Sequence, residues 1–243
     1  MTITRKLLSS IAALGFIIAA GQAQAGCDDE APFGQRSFTL CKVWPAYDDL
    51  TIVATSTFTP DFVDAGNDGG NVDLELSLIH SSNSKRLANY RKKDAYYSDA
   101  VAYEGLAIDT ARYKLNTDER AFGIRSKFAH ESSVSPYSKI ELALYLKDGS
   151  VLRPVLEGLV VESNNGEWDG NCAGEGARMQ RTVGIAKSMQ NGFADLIVSS
   201  TVTLTKSFKV GELCDGESKK LKTTQVTLRY DGKQYVVPEA LRS

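Results

Sequence analysis

The sequence predicts an all-β protein built as an antiparallel β-sandwich or an open barrel and held together by disulfides. Three observations support this fold class: apolar and polar residues alternate in several segments, Asp-Gly dipeptides separate such segments, and helical periodicity is scarce. The same pattern also permits a partial propeller or two small β units. With 42% hydrophobic residues, the 243-residue chain can build the core of one large domain or two small ones.

The first 25 residues have the three parts of a secretory signal peptide. Two basic residues precede an apolar run at 7–20, and small residues lead up to Ala25. We therefore expect cleavage after Ala25, a mature β-rich domain at 26–243 with no membrane span, and a periplasmic or secreted location. Retention of the run as a membrane anchor is disfavoured because it is too short to cross a bilayer. Lipidation of Cys27, which would anchor the protein as a lipoprotein, is the other alternative.

Four cysteines follow the predicted cleavage site, at Cys27, Cys41, Cys172 and Cys214. An even number of cysteines in an exported chain predicts a disulfide framework. Three pairings are possible, and closure of local loops favours Cys27 with Cys41 and Cys172 with Cys214. A zinc site or a redox-active pair is disfavoured because the chain contains no C-x-x-C motif.

The strands themselves are predicted from the alternation. Val72, Leu74, Leu76 and Leu78 alternate with polar residues, which places them on one face of a strand. The same alternation recurs at 140–146 and 226–230. Further segments that alternate or are rich in β-branched residues lie at 51–58, 122–128, 159–161 and 195–204. We expect seven to ten strands in all.

Turn residues join several of these strands. Asp148-Gly149 and Asp231-Gly232 each lie between alternating segments, where a tight hairpin requires residues that tolerate positive φ. Short helices are possible near 92–102 and 176–189, although the second segment also fits a strand. The glycine- and asparagine-rich segment 163–174 predicts a long loop or an internal boundary between two β units.

Several phrases of the sequence resemble a set of exported Gram-negative proteins of unassigned function. These phrases are IDTARYKL at 108–115, RAFGIR at 120–125, SPYS at 135–138 and LRPVL at 152–156. The resemblance extends roughly from Cys41 to Leu204. It implies a periplasmic β-rich protein and assigns no site residue.

Tyrosines and basic residues interleave between positions 85 and 103, which suits a binding surface because Tyr and Arg dominate binding hot spots. The candidate binding patch comprises Arg86, Tyr90, Arg91, Lys92, Lys93, Tyr96 and Tyr97. A protein partner in the cell envelope is the expected occupant, and an anionic glycan is the alternative. Half-buried sheet tyrosines are the competing interpretation. A nucleic-acid partner is not expected, because the formal net charge is −2.

A second candidate site surrounds a tryptophan. Glu162, Glu167 and Asp169 lie near Trp168, and an aromatic ring beside acids is how sugars are often held, so a carbohydrate-binding or carbohydrate-active site is possible. The competing interpretation is that Trp168 packs over the Cys172 bridge.

A third candidate is a calcium site, because oxygen ligands concentrate in one loop. Its residues are Asp64, Asn67, Asp68 and Asn71. The competing interpretation is a solvated acidic hairpin loop, and we expect no other cofactor.

Catalytic motifs are absent from the sequence. The chain has two histidines, His80 and His130, and no G-x-S-x-G motif, so no catalytic residue is assigned. The sequence therefore predicts a non-enzymatic periplasmic binding or interaction module, such as an inhibitor, immunity or envelope-accessory protein. A carbohydrate-binding or carbohydrate-active protein and a calcium-dependent β module are the alternatives.

Overall fold

The computed structural model describes residues 35–61 and 69–242. These residues form twelve β-strands and one 3-10 turn of helix at Glu239–Leu241. The strands are β1 (Phe38–Trp44), β2 (Tyr47–Pro60), β3 (Gly70–His80), β4 (Arg86–Ser98), β5 (Ala102–Lys114), β6 (Arg120–His130), β7 (Tyr137–Asp148), β8 (Val151–Trp168), β9 (Gly174–Gln190), β10 (Phe193–Val210), β11 (Leu213–Lys220) and β12 (Thr224–Leu228). The all-β prediction is confirmed.

Most of the chain belongs to one large sheet that folds back on itself without closing into a barrel. Strands β1 to β4 form one antiparallel meander and β5 to β8 form another. A single parallel residue pair, Asn89 with Val151, joins β4 to β8. Strand β1 contacts β5, but no ladder joins them within the described part of the chain. The two meanders therefore face each other as the layers of an open sandwich.

The first core lies between the two meanders. Its residues alternate along each strand, so that every second side chain points inward. They include Ile52, Leu74, Leu76, Ile108 and Phe122, all of which are buried. The alternation at 72–78 in the sequence is thus the signature of this inner face.

A second core covers the opposite face of β6 to β8. Here Leu142, Leu144 and Leu146 of β7 pack with β10, β12 and the C-terminal segment. The intervening residue Tyr145 points into the first core. Strand β7 is therefore buried on both faces, and the β5–β8 meander is the central layer of the protein.

The predicted strands at 51–58, 72–78, 122–128, 140–146, 159–161 and 195–204 all lie inside strands of the structure. The segment 226–230 is a strand only to Leu228, after which Tyr230 makes one bridge to Tyr235. The predicted turn at Asp148-Gly149 is confirmed, with φ of +60° at Gly149.

Two predictions about local structure are wrong. The short helices that were possible near 92–102 and 176–189 are absent. The first segment pairs with β3, and the second lies in β9 and pairs with β10, as its alternative interpretation as a strand predicted. Pairing with a neighbouring strand overrides weak helical propensity. The described chain also has twelve strands where seven to ten were expected.

The long connection expected at 163–174 is shorter in the structure. Strand β8 continues to Trp168 and β9 begins at Gly174, so the loop between them is 169–173. The disulfide between Cys172 and Cys214 is confirmed, with Cα atoms 5.7 Å apart. The predicted signal peptide and Cys27, the expected partner of Cys41, lie outside the described residues. No helix in the two described ranges has the length and apolar character needed to cross a membrane.

Candidate functional site

Four strand segments extend beyond both cores and form a small sheet that we call the arm. The arm consists of residues 162–168 of β8, 174–180 of β9, 201–210 of β10 and 213–220 of β11, paired in that order. Every residue of β11 is exposed. The β11 side of the arm therefore has no covered face, whereas the β8 side also pairs with β7 at 137–140.

The end of the arm is a hairpin tip with two exposed aliphatic side chains. Val210 pairs with Leu213 across a two-residue turn, in which Gly211 has a φ of +63°. Paired residues of an antiparallel ladder lie on the same face, so the two side chains are neighbours. Val210 is 54% exposed and Leu213 is 75% exposed. Leaving two adjacent aliphatic side chains in water is unfavourable unless something covers them.

The disulfide fixes this tip to the loop at 169–173. Cys214, the residue after Leu213, is bonded to Cys172. The loop is itself ordered, since the backbone N–H groups of Asn171 and Cys172 both donate to the Asp169 carboxylate at 2.8 Å. These backbone hydrogen bonds, with that of Asn171 the strongest, lower the pKa of Asp169. The tip therefore has a defined position relative to the rest of the arm.

Trp168 lies on a strip of glycines at the outer end of the β8–β9 ladder, next to the disulfide loop. A Cβ atom at Gly174 would overlap the Trp168 ring, and one at Gly166 would lie 2.9 Å from its Nε1 atom. The ring therefore covers bare backbone of β8 and β9. Thr205 and Ser207 of β10 continue the same face. The result is a flat polar surface that carries one half-buried indole ring.

The acids near Trp168 do not converge on it. Glu162 forms an ion pair with Arg178 at 3.0 Å, and Asp169 holds the loop. Glu167 neighbours Trp168 in a strand, so its side chain points to the opposite face. Glu162 and Glu167 are about 17 Å apart along the strand, whereas paired glycosidase carboxylates lie about 5–10 Å apart. No observation at this site favours a carbohydrate-active enzyme.

The candidate patch on β4 is divided between the two faces of the strand. Tyr90, Lys92 and Tyr96 pair with core residues of β3 and point inward, towards β8. The other side chains of the patch lie on the outer face or at the bulge where Asp94 has a φ of +49°; these are Arg86, Arg91, Lys93 and Tyr97. The seven residues therefore do not share one surface.

Two of the inward residues, Lys92 and Tyr96, line a cleft where β4 and β8 diverge. This cleft has a volume of about 370 Å³ and includes Glu157 and Arg242. Lys92 forms an ion pair with Glu157 at 3.1 Å. Ser126 donates a hydrogen bond to the Tyr96 hydroxyl at 2.7 Å, and burial raises the pKa of Tyr96 to about 12. The cleft is thus partly closed by its own ion pair.

The outer side chains of the patch are partly engaged by neighbouring acids. Arg86 lies 3.7 Å from Glu75, and the Tyr97 hydroxyl donates to Asp61 at 2.6 Å. This hydrogen bond raises the pKa of Tyr97. The outer face of β4 is therefore a mixed polar surface on which Arg86 is paired with an acid.

The calcium candidates fall mostly outside the described residues, which exclude Asp64, Asn67 and Asp68. Asn71 lies on β3, paired with Thr59 and Tyr97. Within 35–61 and 69–242, no three His, Cys, Asp or Glu side chains are placed to hold a metal ion.

The residues at the arm tip were not identified from the sequence. Val210 ends a segment whose alternation resembles that of the core strands, and the sequence does not show which apolar faces are covered. A usable signal is the composition of 213–220, where Leu213 is the one large aliphatic residue. Such a segment cannot form a core face.

Comparisons of the chain with protein-family models, with curated proteins and with solved structures find no match. Function must therefore be inferred from the geometry of the described residues.

Proposed function

We propose that the protein is an exported, non-enzymatic binding module of the cell envelope that docks a protein partner through the tip of its arm. The observation that carries this proposal is the pair of exposed aliphatic side chains, Val210 and Leu213, on a hairpin fixed by a disulfide. Burying an aliphatic side chain against a partner contributes about 1.5–3 kcal/mol. A tip that is already ordered loses little further freedom on binding.

The surroundings of the tip indicate what the partner surface is like. Lys209, Glu212 and Asp215 flank the two aliphatic residues and carry charges of both signs. An interface of this kind has an apolar centre and a polar rim. We infer that the partner offers an apolar pocket with a mixed polar edge, as expected for an inhibitor, immunity or envelope-accessory protein.

Two features support an extracytoplasmic location. The leader at 1–25 has the composition of a signal peptide. The Cys172–Cys214 disulfide is a bond that persists in oxidising compartments such as the periplasm. The resemblance to exported Gram-negative proteins agrees with this location, which we include in the proposal.

The test is capture of a partner from a Gram-negative envelope extract, with identification by mass spectrometry. The double variant Val210→Ser/Leu213→Ser should lose the partner that the wild-type chain retains. Val236→Ser is the matched control, because Val236 is equally exposed but lies in the C-terminal segment. Retention by the tip variant equal to that of the wild type, or no specific partner at all, would contradict the proposal. Both variants should keep the wild-type melting temperature, since the altered side chains are exposed.

A second candidate function is glycan binding on the Trp168 surface. The observation that favours it is the indole ring lying on the glycines of β8 and β9, since flat aromatic rings on polar surfaces stack against sugar rings. Trp168→Ala should abolish retention on immobilised envelope glycans, while the double tip variant should leave it unchanged. Equal retention by Trp168→Ala and the wild type would exclude this candidate without affecting the protein-docking proposal.

A further inference from the structure

A small cavity lies at the end of the sandwich remote from the arm. It has a volume of about 210 Å³ and is bounded by the end of β1, the start of β2, the β5–β6 turn and the end of β7. Its apolar wall is formed by Leu50, Leu78 and Leu146, and the exposed ring of Tyr47 stands at its mouth. The volume equals that of about seven water molecules, which suits a molecule of the size of benzoate or hexanoate.

Two buried hydrogen-bond donors in the lining of this cavity have no acceptor. Trp44 is 2% exposed, and its Nε1 atom has no hydrogen-bond partner. The Nε atom of Arg120 is also buried without a partner. Buried donors are nearly always satisfied in folded proteins, so two unsatisfied donors in one cavity indicate a missing acceptor.

Neighbouring contacts hold both donors in place. The Trp44 ring makes edge-to-face contacts with Tyr47 at 4.8 Å and with Phe122 at 5.4 Å. The Arg120 guanidinium donates through its Nη2 atom to the carbonyl oxygens of Thr110 and Ala111 at 3.4 and 3.5 Å. The Nε–H group of Arg120 thus has no acceptor within the described part of the protein.

The lining of the cavity includes two basic and two acidic side chains. Arg120 makes no ion pair among the described residues, and Lys147 also lines the cavity. Two acids lie on the rim, but each accepts a hydrogen bond within the turn: Glu119 from the Asn116 side chain at 2.8 Å and Asp118 from Thr117 at 3.0 Å. Neither acid pairs with Arg120, so among the described residues its guanidinium has backbone carbonyl partners but no carboxylate partner, and it lies beside an apolar wall.

We propose that this cavity binds a small apolar monocarboxylate, whose carboxylate accepts hydrogen bonds from Trp44 Nε1 and Arg120 Nε and whose apolar body contacts Leu50, Leu78 and Leu146. This site is separate from the arm and does not depend on the function proposed for it. The chemistry of the lining defines the ligand class: an anionic acceptor for the two donors and an apolar group for the wall.

The test uses the Trp168→Phe variant, in which Trp44 is the sole tryptophan of the chain. Its indole N–H then gives one cross-peak in a ¹⁵N–¹H correlation spectrum. Benzoate should shift this peak downfield in a saturable manner, and hexanoate should do the same. Benzyl alcohol should bind at least tenfold more weakly than benzoate, and benzylamine should not bind, because the apolar body is kept while the carboxylate is lost.

Replacing the cation provides the second arm of the experiment. Arg120→Gln in the Trp168→Phe background should weaken benzoate binding at least tenfold, and Arg120→Lys should restore part of it. Arg112→Gln is the matched control, since Arg112 is exposed on β5 and does not line the cavity. An unmoved indole peak at millimolar benzoate, equal affinity for benzoate and benzyl alcohol, or unchanged binding by Arg120→Gln would each overturn the proposal. If Arg120→Gln does not fold, the comparison of head groups on the parent chain decides the question.

Discussion

The central strand β7 and the edge strand β11 belong to the same sheet but have opposite degrees of side-chain burial. In β7, Leu142, Leu144, Tyr145 and Leu146 are buried, because a packed layer covers each face. In β11, all positions are exposed, and hydrogen bonds to β10 together with the Cys172–Cys214 bond hold the strand in place. The body is thus stabilised by packing, and the arm by backbone pairing and a covalent link. Surface residues of the arm can consequently vary without loss of the fold, as a binding element requires.

The largest expected difference in stability is between substitution of a leucine in β7 and substitution of a leucine at the arm tip. Leu144→Ala should lower the free energy of unfolding by about 2–5 kcal/mol, because it leaves a cavity in a fully packed layer. Leu213→Ala should change it by about 0.5 kcal/mol or less. Urea denaturation of both variants measures the difference. A cost above about 1 kcal/mol for Leu213→Ala would show that the arm tip packs against the body.

The disulfide provides the next test of the comparison. Its two cysteines are 42 residues apart, and a bond closing a loop of that size contributes about 2–4 kcal/mol. In the Cys172→Ser/Cys214→Ser variant, amide protection in 203–220 should fall by about 30-fold or more, while protection in β7 stays at the wild-type level. Hydrogen exchange followed residue by residue measures both. Equal losses in β7 and the arm would mean that the two regions unfold as one unit.

Ion pairs of the central layer and of the arm should also differ in how much they contribute to the free energy of unfolding. Asp109 in the central layer has a 12% exposed side chain and contacts Arg125 Nε at 2.7 Å and the Tyr113 hydroxyl at 2.8 Å. Burial raises the pKa of Asp109, but hydrogen bonds from Ala111, Arg125 and Tyr113 and the charge of Arg125 outweigh it, so the pKa is lowered.

A carboxyl whose pKa is lowered on folding stabilises the protein above the pKa of the unfolded chain, about 4, and loses that contribution as the pH falls through its lower folded value. The stability of the wild type should therefore decrease below about pH 4. Asp109→Asn should cost about 1–3 kcal/mol at pH 7 and should show a shallower acid dependence. Glu175→Gln, which breaks the exposed pair with Lys206 in the arm, should leave the unfolding midpoint unchanged. Denaturation at a series of pH values tests both variants, and an Asp109→Asn curve parallel to that of the wild type would contradict the assignment.

The sequence predicts the body of the fold better than the arm, for a physical reason. Alternation at 72–78 and 140–146 reports strands directly, because one face of each must be apolar to reach a core. Strand β4 is harder to predict from the sequence, because it contains the charged run 91–94 and the bulge at Asp94 interrupts its alternation. Whether a second layer covers an alternating strand depends on distant segments, so alternation does not show that Val210 at the end of β10 is exposed. The exposed state of β11 has only a compositional signal, because Leu213 is its one large aliphatic residue.

The prediction of the candidate sites was limited because the sequence does not show how the strands pair or which face of a strand each residue occupies. Residues adjacent in sequence on β4 were grouped as one patch, but neighbouring positions of a strand point to opposite faces. The strip under Trp168 includes Gly174, which comes from a different strand, so its contact with the ring cannot be read from local sequence. The cavity donors Trp44 and Arg120 are likewise brought together by the turn between β5 and β6.

The smallest expected change concerns glycines that lie against large side chains in the two regions. A Cβ at Gly123 would lie 2.9 Å from Leu142 Cδ1 and 3.1 Å from Asp109 Cβ, and neither neighbour can move within the central layer. Gly123→Ala should therefore cost about 1–3 kcal/mol. At Gly174 a Cβ would overlap the half-buried ring of Trp168 and would lie 2.6 Å from the carbonyl oxygen of Glu167. The ring can tilt away into solvent, but the carbonyl oxygen moves only with the backbone of β8, so Gly174→Ala should also cost about 1–3 kcal/mol and should increase the acrylamide quenching of Trp168 fluorescence. Gly184→Ala, where the added Cβ makes only an ordinary contact at 3.8 Å, should cost less than about 1 kcal/mol and leave quenching unchanged. Quenching that is unchanged by Gly174→Ala would show that the Trp168 ring is held as firmly as a core side chain, and the arm would then be a packed element in its own right.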